Sequence, residues 1–124
     1  MSYCFDPDVV IELNGRLTNA PAVVLDRLKL ESALARPHHT YDGTYLHRTL
    51  VERTAALLDG LCQAHAFMDG NKRTAWMCSV LYLDLNGVAI RDMDEAEAGG
   101  FVEGVVLHEY DVETASVWFA ERII

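Results

Sequence analysis

Residues 65–85 read HAFMDGNKRTAWMCSVLYLDL, and the two halves of that stretch behave differently. From Thr74 to Leu85 the chain is apolar nearly all round: Ala75, Trp76, Met77, Cys78, Val80, Leu81, Tyr82 and Leu83. A helix of that kind belongs at the centre of a domain. Asn86-Gly87 supplies its stop, because asparagine and glycine accept the left-handed geometry that ends helices. The first half, His65 to Arg73, crowds an imidazole, a carboxylate, a Gly-Asn turn and two cations into nine residues. A charge-handling loop that feeds a buried helix predicts a helical core with chemistry at one end of it.

Working outward, Leu50, Thr54, Leu57, Leu58, Leu61 and Cys62 trace one face of a helix over about Leu46 to His65. Asp6-Pro7 predicts a first helix ending at Asn14-Gly15, with Asp6 as cap and Pro7 in the first helical position. A second is expected from Ala22 to Ala35, closed by Arg36-Pro37, since the residue before proline is pushed out of helical geometry. Asp94 and Asp111 suit the caps of two more, over Met93–Glu109 and Val112–Arg122, although Gly99-Gly100 weakens the first. Between the second and third helices, Thr40, Tyr41, Thr44 and Tyr45 flank Asp42-Gly43, the local signature of a tight hairpin. Such a hairpin is too short for a sheet of its own and reads as a flap. No repeat or linker interrupts residues 1–124, so the expectation is one all-α domain with a buried central helix and a short β-hairpin flap.

Composition narrows the class. At 124 residues and 51% apolar content the chain has enough material for a core, and disorder is a poor reading. Asp84 and Asn86 break the longest apolar run before it reaches membrane-span length, and the first residues carry no secretory pattern. Three cysteines without a CxxC pair suit reduced thiols and a cytoplasmic setting. A formal net charge of −9 disfavours direct binding of nucleic acid and requires any nucleotide site to be built from local cations and a metal.

The nine-residue segment meets that requirement. The central helix should begin near Gly70-Asn71-Lys72, with its unpaired N–H groups and positive dipole end facing the loop. Lys72 and Arg73 in that first turn oppose the dipole and gain nothing structurally, a conflict that an anion would remove; this is a phosphate cradle. Gly70 lets backbone approach a ligand closely. Asp69 is a hard oxygen ligand for Mg²⁺ shared with phosphate. His65, four residues earlier, offers an imidazole to take a hydroxyl proton. Phe67 is expected to anchor the loop in the core. Taken singly, each residue has a duller account as cap, turn former or solvated charge. His38 and His39 read as a solvated pair, Arg53 as a surface salt bridge, Trp76 and Met77 as core; His47 and His108 receive no role.

The same residues resemble the Fic/Doc family. The Fic signature is His-x-Phe-x-(Asp/Glu)-Gly-Asn-Gly-Arg followed by a further Arg, and the Doc branch carries Asn-Lys-Arg-Thr-Ala, as Asn71-Lys72-Arg73-Thr74-Ala75 does here. Leu30-Glu31-Ser32-Ala33-Leu34-Ala35-Arg36-Pro37 and Asn86-Gly87 also look like the Doc pattern. The resemblance implies a compact helical Fic fold that uses ATP and Mg²⁺. By it, His65 is the general base, Asp69 the metal ligand, and Gly70, Asn71, Lys72 and Arg73 the phosphate and transition-state contacts. It further implies a toxin that phosphorylates a threonine of elongation factor Tu and is held in check by a Phd-type antitoxin. The flap, Thr40, Tyr41, Asp42, Gly43 and Thr44, would dock the substrate. Lys72 in place of the second Fic glycine, and Trp76 in place of the second arginine, favour the kinase. Gly70, where some Doc proteins have alanine, keeps AMP transfer as the alternative, and a non-catalytic antitoxin-binding relative is a third. The family's inhibitory signature, (Ser/Thr)-x-x-x-Glu-(Gly/Asn), is not apparent: Glu103-Gly104 comes closest, with Gly99 at the hydroxyl position.

Overall fold

Among the described residues, five of the six α-helices start on a side chain that accepts a backbone N–H, and the sixth is the one that opens on the charged loop. The computed structural model describes residues 2–124. Asp6 caps α1 (Pro7–Thr18), Asp26 caps α2 (Arg27–Ala35) and Thr49 caps α3 (Leu50–Ala64). Asp94 and Asp111 cap α5 (Glu95–Val106) and α6 (Val112–Ala120). Each such cap is worth about 1 kcal/mol relative to alanine. Only α4 (Asn71–Leu85) begins without one, on Gly70 in the left-handed region at φ 75°.

Several boundaries differ from those read in the sequence. α1 runs through Gly15 and stops at Asn19, the residue that adopts the left-handed cap at φ 55°. Gly15 is a point of close approach instead: a Cβ there would sit 3.1 Å from the carbonyl oxygen of Ala20. α2 starts at Arg27 and not Ala22, because residues 23–25 are drawn out as an extended segment against the charged loop. Leu25 donates to Ala66 O at 2.7 Å and Met68 to Val23 O at 3.0 Å, with a bridge between Val24 and Phe67. α3 begins at Leu50, since Leu46 still belongs to the hairpin through its 2.9 Å bond to His39 O. The chain also passes Pro37 in a 3₁₀ turn, Arg36–His38, before β1 (Thr40–Tyr41) and β2 (Thr44–Tyr45) form the expected hairpin. Asp42 and Gly43 both take positive φ there, as a two-residue hairpin loop demands.

The helix at the centre is α3. Thr54, Ala55, Ala56, Leu57 and Leu58 are all buried, and α3 packs against α2, the 3₁₀ turn, α4, α5 and α6. Small residues let neighbours pack closely: Ala55 and Ala56 are fully buried, and a Cβ on Gly60 would come into van der Waals contact with Ala33 at 3.4 Å. α4, expected at the centre, is buried along Ala75, Cys78, Ser79, Tyr82 and Leu83 but leaves Leu85 72% exposed. Aromatic rings fasten α4 to α5 and α6. Phe101 stacks on Trp118 with centroids 3.7 Å apart, and Trp76 lies parallel to Phe119 at 6.2 Å. Burying side chains of this size contributes about 1.5–3 kcal/mol each; Trp76, read as core, is partly buried and packs against the core cluster. No helix is long and apolar enough to cross a membrane among the described residues.

Gly99 and Gly100 continue α5 with helical backbone, and a Cβ at either would meet nothing within 4 Å. Neither glycine is required by the fold. Gly99→Ala and Gly100→Ala are each expected to stabilise the protein by about 0.5–1 kcal/mol, the propensity gap between the two residues. Urea unfolding of the two variants against the parent measures it directly.

Candidate active site

The loop between α3 and α4 is held open by its own side chains. α3 ends on His65, which takes the left-handed conformation at φ 45° and so turns the chain sharply. Phe67 is 2% exposed and plugs the loop into the core, as expected from the sequence. Asn71 then closes the loop from the other side. Its Oδ1 accepts from Phe67 N at 3.0 Å and its Nδ2 donates to Phe67 O at 2.7 Å. Those two bonds fix which way the amide points. Nδ2 also approaches His65 Nδ1 at 3.3 Å. The side chain of Asn71, read as a phosphate contact, is thus occupied within the loop; what it presents outward is its backbone N–H.

Three N–H groups are available. The first intrahelical bond of α4 runs from Thr74 N to Gly70 O, and those of Asn71, Lys72 and Arg73 have no partner among the described residues. With no side-chain cap on Gly70, the positive end of the helix faces the space in front of it. That space is a cavity of about 770 Å³ lined by His65, Asp69, Gly70, Asn71, Lys72 and Arg73, with Thr18 from α1, Cys62 from α3 and Val106 from α5 closing its sides. All six residues named from the sequence for the site therefore meet at one cavity. The flap does not join them: Thr40, Tyr41, Asp42, Gly43 and Thr44 are exposed and none lines it.

Each charged group has a distinct setting. Asp69 is exposed, and its Oδ1 accepts the Gly70 N–H at 2.8 Å, leaving the second carboxylate oxygen without a protein partner among the described residues. Lys72, which lines the cavity, pairs with Glu103 of α5 at 2.6 Å. Both ends of that pair are about half exposed, which places it among contacts worth about 0.2–1 kcal/mol. Arg73 donates one N–H to Leu17 O at 2.7 Å, and the rest of its guanidinium is unpaired among the described residues. The Lys72–Glu103 pair also lines a second hollow of about 520 Å³, together with Trp76 and Gly99. Cys62 contributes no nucleophile: burial first, and then Asp59, pushes its thiol up to about 12.

Three contributors escaped the sequence reading. Asn14 is 2% exposed and donates to Asp69 O at 2.9 Å and to Thr74 Oγ1 at 3.0 Å, tying α1 to both ends of the turn. Its signal was its place four residues after Val10, on the buried face of α1. Thr18 packs on Gly70, and Glu103 reaches Lys72 from thirty-one residues away. Thr18 carries no local signal, and Glu103 was singled out only as the nearest approach to an inhibitory signature. No group of three His, Cys, Asp or Glu residues able to hold a metal occurs among the described residues. A single free carboxylate oxygen facing an anion cradle suits Mg²⁺, which takes one or two protein carboxylates and completes its shell with phosphate and water.

The family model of the Fic/DOC family matches residues 4–83, from just before α1 to near the end of α4. A relative named Toxin Doc, from Mycolicibacterium smegmatis (strain ATCC 700084 / mc(2)155), is 36% identical over 92 residues, covering 73% of this chain and 71% of that protein.

Proposed function

The chain belongs to the Fic/DOC family, and from that premise we propose that it is the toxin of a toxin–antitoxin pair, acting as a protein kinase. It transfers the γ-phosphate of ATP to a threonine hydroxyl of elongation factor Tu and so blocks translation. One observation carries the chemistry: an uncapped helix N-terminus with Lys72 and Arg73 in its first turn faces the same cavity as His65 and Asp69. Phosphoryl transfer asks little covalent work of a protein and much positioning and charge stabilisation. The free N–H groups of Asn71, Lys72 and Arg73, together with the two side-chain cations, supply that stabilisation to the equatorial oxygens. His65 takes the threonine proton as the oxygen attacks phosphorus in line and ADP leaves. Asp69 would hold Mg²⁺, which neutralises charge on the phosphates when bound.

The exposed flap docks the segment that carries the threonine, by adding it as a strand to the β1–β2 edge. A Phd-type antitoxin, with a disordered tail that folds on the toxin, is the partner that restrains it. AMP transfer to a hydroxyl is the second reading, because the cradle would stabilise an α-phosphoryl group by the same groups. ATP labelled separately at α and γ, incubated with the protein and elongation factor Tu, separates them: γ-label on the target supports the kinase and α-label the AMP transferase. Neither label on the target, with nucleotide bound, would sink the kinase on elongation factor Tu and leave a different target or a binding role.

Glu103 competes with phosphate for Lys72. Glu103→Gln is expected to tighten Mg²⁺–ATP binding up to about fivefold, the equivalent of one exposed pair of about 0.2–1 kcal/mol. Calorimetric titration in low salt, repeated at high salt where the gain should shrink, measures it.

A further inference from the structure

We propose that Arg53 is a positioning residue that seats the flap against α3 and sets how the protein substrate is presented; this rests on the docking role given to the flap above. Two-residue strands cannot hold a hairpin in place by themselves. The register pairs Thr40 with Tyr45 and Tyr41 with Thr44, so Thr40 and Tyr45 share one face and Tyr41 and Thr44 the other. The two tyrosines therefore have different jobs. Tyr41 is 80% exposed and stands free. Tyr45 faces the body of the protein, where Arg53 Cζ lies 4.6 Å from its ring centroid.

Arg53 is the hub of a latch. It forms no ion pair with a carboxylate among the described residues, against the expectation of a surface salt bridge. Its Nη1 instead donates to Arg48 O at 2.9 Å and His47 O at 3.2 Å, on the strand's exit toward α3. Its Nε donates to Tyr82 Oη at 3.3 Å, and Tyr82 lies 3.2 Å from His38 Nε2 on the strand's entry. The His38 ring in turn sits 5.8 Å from Tyr45. One guanidinium thus touches the ring at the base of the hairpin, the exit backbone and, through Tyr82, the entry. Burial, and then the Arg53 charge, holds His38 below its ordinary range, so it joins the latch as a neutral ring and not as one of a solvated pair. The buried run Thr54–Leu58 follows Arg53 directly, which gives the latch a rigid base. Arg53 does not line the nucleotide cavity.

The test uses the full chain with Arg53→Met, and Tyr45→Thr as a second variant that leaves α3 untouched. Limited chymotrypsin digestion reads the latch: nicking after Tyr41 or Leu46, the sites both variants keep, should quicken about tenfold or more in each, since local opening governs cleavage at a loop. Mg²⁺–ATP affinity should stay at the parent value. With elongation factor Tu as target, KM should rise about tenfold with kcat nearly unchanged, a split that a general loss of stability would not produce. Unchanged nicking overturns the latch, and faster nicking with an unchanged KM overturns its role toward substrate. If the parent chain itself labels nothing, the kinase reading falls and takes the substrate role with it, while the nicking rates still decide whether Arg53 holds the flap.

Discussion

Replacing His65 with asparagine should slow transfer to the protein target by about 10²–10⁴, the usual range for loss of a general base, while leaving the fold and nucleotide binding almost as they were. Asparagine is the informative choice because His65 ends α3 in the left-handed region at φ 45°. Asparagine tolerates that geometry far better than alanine, so backbone strain is kept out of the measurement. His65 is exposed, and its one side-chain hydrogen bond among the described residues is the 3.3 Å approach of Asn71 Nδ2. Asn71 remains held by its two bonds to Phe67. Single-turnover transfer from γ-labelled ATP, alongside calorimetric ATP affinity and a thermal melt, separates the outcomes. A rate within a few-fold of the parent would remove His65 from the mechanism. An equal loss of ATP affinity would make it a ligand contact and not a base.

How far the sequence alone reaches can be followed residue by residue. Caps written in short polar side chains were legible: Asp6, Asp94 and Asp111 each accept a backbone N–H where their position says they should. The hairpin followed from Asp42-Gly43 between paired β-formers, and the start of α4 from Gly70-Asn71. These features are local, settled by one or two neighbouring residues. What was not legible depends on segments far apart in sequence. The loss of helix at residues 22–26 comes from backbone bonds to Ala66 and Met68, more than forty residues later. The centre of the domain passed to α3 because Ala55, Ala56 and Gly60 admit neighbours on every side, something a hydrophobicity count ranks below the bulky run of α4. Within the site, residue types announced the chemistry, whereas Asn14, Thr18 and Glu103, which position or oppose that chemistry, arrive from α1 and α5.

Gly70 shows the same division and carries the second large expectation. As a letter in a motif it suggested room for close approach of a ligand. In the structure it has a nearer cause. At φ 75° any side chain is strained, and a Cβ would lie 2.6 Å from Thr18 Cγ2 and 3.0 Å from Asn14 Nδ2. Neither obstacle can swing aside cheaply. Thr18 Oγ1 donates to Asn14 O at 3.0 Å, and Asn14 Nδ2 is committed to Asp69 O and Thr74 Oγ1. Gly70→Ala should therefore cost about 2–4 kcal/mol, combining left-handed strain with overpacking, and should loosen the turn that aims Asp69. Thr18→Ser removes the offending methyl but keeps the hydroxyl. In that background Gly70→Ala should cost at least about 1 kcal/mol less, a coupling that urea unfolding of the four proteins resolves. Equal costs in both backgrounds would show that Thr18 is not what requires the glycine. If the coupling appears, the glycine is set by packing against α1, and it no longer argues for AMP transfer. The double variant should then move the γ-label and not the α-label, in the same ratio as the parent; a shift toward α-label would restore Gly70 as a determinant of the chemistry.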